Sequence, residues 1–126
     1  MDTFTTFAVQ IKETSKELTK KERVKMKDMS NAIKLDEVTA DGEFIFKPYA
    51  YAILSVHNPK SKDNPDYENI LILDEAGTKY VTGSPSFMRA FFDIWNEMEG
   101  EDFEIVCYKR DSKNYKGKQF LSCSVL

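Results

Sequence analysis

Residues 67–100 read YENILILDEAGTKYVTGSPSFMRAFFDIWNEMEG, and the order of signals within them decides the fold. A β-prone run over 67–74, centred on Ile70-Leu71-Ile72-Leu73, meets the turn Asp74-Glu75-Ala76-Gly77 and a second run over 78–82. Ser84 then stands as an N-cap with Pro85 at the first helical position. Phe87, Phe91, Ile94, Trp95 and Met98 recur at three- and four-residue spacing until Gly100 ends the pattern. The stretch predicts strand, turn, strand, helix.

Upstream, residues 49–57 form another apolar, β-rich run, separated from residue 67 by the polar loop 58–66 with its two prolines. Phe44-Ile45-Phe46 extends that run backwards, interrupted by Pro48, which lacks an amide donor and suits a bend or an edge. Downstream, residues 103–109 and 119–126 are strand patterns joined by the polar loop 110–118, a long terminal hairpin. Three strands, a helix and two strands is the order of a five-stranded oligonucleotide/oligosaccharide-binding (OB) barrel with its helix between strands three and four. A ferredoxin-like fold needs a helix between its first two strands, where this chain has a Pro-containing loop. The expectation is a mainly β, α+β domain: an OB-like core over 44–126 and an N-terminal extension over 1–43. Within the extension, residues 4–11 read as a strand with Phe7, Val9 and Ile11 on one face. Thr19-Lys20-Lys21-Glu22 is a capping box opening a helix over 20–28, with Val24 and Met29 as its apolar anchors. Residues 31–38 read as strand or extended loop, and 40–43 as a turn.

A chain of 126 residues is one domain's worth, and 41% apolar with 31% charged residues excludes a disordered or fibrous protein. No stretch approaches the roughly 18 apolar residues of a membrane span. The first residues lack the basic start and apolar run of a secretory signal, so a cytoplasmic location is expected. The net charge of −3 hides a segregation. Residues 1–62 carry 11 Lys and Arg against 9 Asp and Glu, residues 63–104 carry 2 against 11, and residues 105–126 carry 5 against 1. Local field steers a charged partner more than the total does, so a polyanionic partner is not excluded.

In an OB barrel the ligand crosses the face of strands two and three between two loops. The first loop here offers Lys60 and Lys62. The second, residues 108–120, mixes the five cations Lys109, Arg110, Lys113, Lys116 and Lys118 with the aromatics Tyr108, Tyr115 and Phe120. Cations track phosphates and flat rings stack on bases, which is the combination single-strand binders use. A solvated hairpin whose lysines discourage edge aggregation carries the same composition. Tyr51 is a further stacking candidate, since a strand tyrosine lies on either face. The basic stretch 16–27 reads as a solvated helix with a supporting role in backbone or subunit contact left open.

Enzymatic signatures are weak. Gly83-Ser84-Pro85-Ser86 is not a nucleophile elbow. His57 has no carboxylate neighbour in sequence. Asp66 with Asp111-Ser112-Lys113 has the residue types of a metal-dependent nuclease, but not on a rigid strand. Cys107 and Cys123 are too few for a zinc site with a single histidine, and they face each other if the hairpin turns near Tyr115. No catalytic residue, metal or cofactor is expected.

Through Asn31–Glu37, Tyr51–Asn58, Gly77–Ser84 and Ser112–Lys118, as whole-chain texture, the chain resembles small single-stranded DNA-binding proteins encoded by bacteriophages of Gram-positive hosts. It implies an OB-type protein that coats single-stranded DNA in phage replication or recombination in the host cytoplasm, without base chemistry. Replication or recombination proteins and further copies of the chain are the implied partners. Bacterial single-strand binders often end in an acidic tail. Here Ser124-Val125-Leu126 falls within a predicted strand, so recruitment through such a tail is not expected. The alternative is an interaction module that redirects a host protein through the acidic middle.

Overall fold

The structure, a computed structural model, describes residues 7–60 and 64–126. Strands β1 (Ala8–Thr14), β2 (Ile33–Lys34), β4 (Ala50–His57), β5 (Asp66–Leu73) and β6 (Lys79–Thr82) form a five-stranded sheet in the order β1-β4-β5-β6-β2. Strands β3 (Phe44–Phe46), β7 (Ile105–Asp111) and β8 (Gln119–Val125) form a second sheet in the order β3-β7-β8. The helices are α1 (Lys20–Lys27), α2 (Leu35–Val38) and α3 (Pro85–Glu97). No helix among the described residues is long and apolar enough to cross a membrane.

Pro48 does what its chemistry suggests. β3 pairs with β7, β4 pairs with β5, and the two strands are separated only by Lys47-Pro48-Tyr49, so one interrupted strand serves both sheets. The Tyr49 amide resumes the ladder by donating to the Leu73 carbonyl at 2.7 Å. The Asp74–Gly77 turn closes with Gly77 at a positive φ of 87°. α3 starts as predicted, with the Ser84 hydroxyl accepting from the Phe87 amide and proline in the first turn.

Strand alternation divides the apolar residues of β4 and β5 between two cores. Tyr51, Ile53, Ile70 and Ile72 face one core with Phe87 and Phe91 of α3 and Ile105, Cys107, Leu121 and Cys123 of the second sheet. Ala52, Leu54, Val56 and Leu71 face the other, closed by Met26 of α1 with Leu18, Met29 and Ala32 packed around it. Both faces of the sheet are therefore covered at its centre, along Ala50–Leu54 of β4 and Ile70–Ile72 of β5, while Asp66, Tyr67 and Glu68 at the start of β5 are exposed.

The structure corrects the sequence reading at three places. The described residues form two sheets and no closed barrel: the β6 edge is taken by β2 in parallel, with Ile33 opposite Tyr80. The segment assigned to an extension supplies both edge strands, and 31–38 holds β2 and α2. Val24 does not anchor α1, since it is 71% exposed and Met26 is buried. Two residues turn a helix by about 200°, so these two side chains cannot share a face. The expected strand over 4–11 is described from Phe7 onward, and the remainder lies outside the described residues.

Cys107 and Cys123 are register partners across β7 and β8, both buried and unlinked. Burial pushes each thiol up to about 12 from an ordinary 9.0. Burial, with a hydrogen bond to Asp74, likewise pushes Tyr80 up to about 12. Above pH 9 the unfolded chain loses protons that the folded chain keeps, so these groups lower stability as pH rises towards 12. Urea midpoints measured from pH 8 to 11 should fall with pH, and fall less steeply in Cys107→Ala/Cys123→Ala.

Candidate nucleic-acid interface

The terminal hairpin positions most of the predicted site. Its tip is closed by its own backbone: the Ser112 amide donates to the Lys118 carbonyl at 2.9 Å, and the Lys118 amide to the Tyr115 carbonyl at 3.2 Å. Gly117, at a φ of 76°, takes the left-handed conformation the turn requires. On this tip Lys113, Tyr115, Lys116 and Lys118 are exposed to solvent, Tyr115 at 68%. Among the described residues, no ion pair engages Lys113, Lys116 or Lys118.

Towards the base of the hairpin, alternation places Val106, Tyr108 and Arg110 on the face opposite Ile105 and Cys107, joined by Phe120, Ser122 and Ser124 of β8. The Tyr108 hydroxyl and Ser124 Oγ lie 2.6 Å apart, and the Arg110 guanidinium sits over the Tyr108 ring at 4.9 Å from its centroid. A guanidinium over a ring is a cation–π pair, and both groups can stack on a base. Phe120, opposite Arg110 in the ladder, is 37% exposed. An open groove of about 640 Å³ is lined by Val106, Tyr108, Lys109, Arg110, Gln119 and Ser124 on one side and Thr39, Ala40, Gly42 and Glu43 on the other, whereas Phe120 and Ser122 line a separate hollow against α3. The second wall was missed by the sequence reading. Only the antiparallel pairing of Phe44 with Cys107 brings the turn before β3 alongside the outer half of β7.

Several predicted residues lie elsewhere. Tyr51 is 8% exposed and packs edge-on against Phe91, Phe92 and Trp95, so it offers no ring to a base. Burial raises its hydroxyl pKa, with a smaller contribution from the Glu13 charge. Lys109 is engaged by Asp36 at 3.3 Å and is only partly exposed, so it is not a free phosphate contact. Lys60 is exposed on the β4–β5 loop, its amide donating to Asn58 Oδ1, and Lys62 lies outside the described residues. The expected ligand face was that of strands two and three, here β5 and β6; the centre of β5 is covered on both sides, by α3 and the second sheet on one and by α1 with its flanking segments on the other.

His57 and Asp66 meet across β4 and β5, Nδ1 to Oδ1 at 2.6 Å, a carboxylate neighbour that the sequence spacing hid. Asp66 lies on β5 of the five-stranded sheet, whereas both cysteines lie in the second sheet and Lys113 in the loop between its strands β7 and β8. Among the described residues, no group of three or more His, Cys, Asp or Glu side chains is placed to hold a metal ion. No protein-family model matches the chain, and no curated protein and no solved structure matches it either.

The two classes of tyrosine separate by stability. Tyr51→Ala should destabilise by about 3–5 kcal/mol, as buried aromatic truncations do. Tyr115→Ala should stay within about 0.5 kcal/mol of the parent. Urea denaturation of both variants checks this.

Proposed function

We propose that the protein binds single-stranded DNA without base chemistry and with little regard to sequence, coating it during phage replication or recombination. The observation that carries this reading is the strip from Arg110 over the Tyr108 ring to the exposed Tyr115 and the exposed lysines of the hairpin tip, with Phe120 opposite Arg110 in the ladder. Rings and cations alternate along it, and the open groove beside its base gives an unpaired strand room to lie. Glu43 on the far wall disfavours phosphate there, which orients the backbone towards the lysines.

The framework reading that accompanies this is OB-like. It is supported by the β4-β5-β6 meander, by α3 following it, and by the strand interrupted at Pro48 that pairs with both β5 and β7. A β6–β8 pairing, which would close such a barrel, is replaced by β6–β2.

A rival reading, a module that engages another protein, draws on the acidic end of the molecule. Glu75, Glu99, Glu101 and Asp102 border a cleft of about 200 Å³ against Trp95 and Phe103. A stoichiometric partner that survives nuclease treatment of a lysate and is lost in Glu99→Lys/Glu101→Lys would favour it.

Fluorescence anisotropy with labelled oligo-dT at 50 and 200 mM salt tests the main reading. Each phosphate contact adds about 0.7 to the slope of log affinity against log salt for single strands. Lys113→Glu/Lys116→Glu should therefore lower the slope by about 1.4 and weaken binding about tenfold or more. Affinity that is absent at low salt, or indifferent to salt, would contradict the reading.

A further inference from the structure

α1 carries more positive charge than its capping box and the favourably placed Lys25 and Lys27 of its last turn call for. Its eight residues, Lys20-Lys21-Glu22-Arg23-Val24-Lys25-Met26-Lys27, hold five cations, all exposed, and one acid. Lys20 and Arg23 are three residues apart, and Lys21 and Lys25, like Arg23 and Lys27, are four apart. These spacings put like charges side by side on the helix surface. Lys20 and Lys21 also occupy the first turn, where the helix dipole disfavours positive charge. Glu22, the single acid, is occupied: its carboxylate accepts from the Thr19 amide in the capping box and faces Lys16 at 3.9 Å. A helix needed only as a solvated cover would gain from acids interleaved among these lysines.

The helix is nevertheless held firmly in place. Met26 is 2% exposed in the outer core, and the Lys79 ammonium donates to the carbonyls of Lys25 at 2.6 Å and Asp28 at 2.9 Å, closing the C-terminal end. It covers one face of β4 and β5, and α3 with the second sheet covers the other, so the centre of neither face is open to a ligand. A fixed, self-repelling row of cations over a sheet face is a surface that a polyanion relieves.

We propose that the exposed side of α1, through Lys20, Lys21, Arg23 and Lys27, is a second phosphate-binding surface, and that it replaces the sheet face as the track for the nucleic-acid backbone. This rests on the single-stranded DNA reading and extends its footprint from the hairpin to the helix. Val24, exposed among these cations, marks the same side.

The test is the full-length variant Lys20→Gln/Lys21→Gln/Arg23→Gln/Lys27→Gln, which keeps helix propensity while removing all three like-charge pairs. Anisotropy with oligo-dT at several salt concentrations and thermal denaturation are read together, with Lys113→Glu/Lys116→Glu as comparator. The expected result is a salt slope lower by about 2 to 3 and affinity down about tenfold or more, with a thermal midpoint equal to or above the parent's. Unchanged slope and affinity, while the hairpin variant is weakened, would overturn the α1 surface and leave the hairpin reading standing. Weaker binding accompanied by a lower thermal midpoint would also overturn it, because the cations would then be supporting the fold. Absence of binding by the parent protein would remove the single-stranded DNA reading itself, and the α1 surface with it.

Discussion

Two-sided burial of the five-stranded sheet is the constraint on which the rest of the molecule depends. Ala50 to Leu54 are five consecutive buried residues, which a strand achieves only when both of its faces are covered. The aromatic face of α3 and the second sheet supply one cover, and α1 with its flanking segments supplies the other. Because the apolar side chains at the centre of β4 and β5 are used in holding the fold together, the proposed recognition falls to elements whose side chains are exposed: the terminal hairpin and the outside of α1.

That displacement ties local chemistry to electrostatics. β7 and β8 run from the acidic segment 97–104 at one end to the basic tip at the other, so the hairpin separates charge along its length. At the base, buried reduced thiols and Ile105 fix the inner face. This leaves the alternate positions Tyr108 and Arg110 to form the ring and guanidinium stack. The strand period of two thus builds a packing surface and the proposed recognition surface from one short segment.

Much of this was legible in the residues. Ser84-Pro85 with aromatics at helical spacing fixed α3, Pro48 marked the bend shared by both sheets, and the position of Tyr115 at the hairpin turn placed Cys107 opposite Cys123. What was not legible depended on distant pairing. Ile33 and Lys34 have no strand signature of their own, and they pair only because β6 presents an edge. Tyr51 reads as a strand tyrosine on either face until α3 is placed beneath it. The cover over the sheet did leave a trace: the unbroken runs Tyr51-Ala52-Ile53-Leu54 and Ile70-Leu71-Ile72-Leu73 lack the alternation of a half-solvated strand and so demand a second apolar layer. Met26, two residues from the exposed Val24, is where that layer meets α1.

Amide chemical-shift perturbation on titrating the ¹⁵N-labelled full-length chain with oligo-dT tests most directly whether recognition has moved off the sheet. Perturbations concentrated in residues 108–118 and 20–27, with β4 and β5 amides quiet, are the predicted result. Perturbations centred on β4, β5 and β6, or on the acidic segment 97–104, would contradict it.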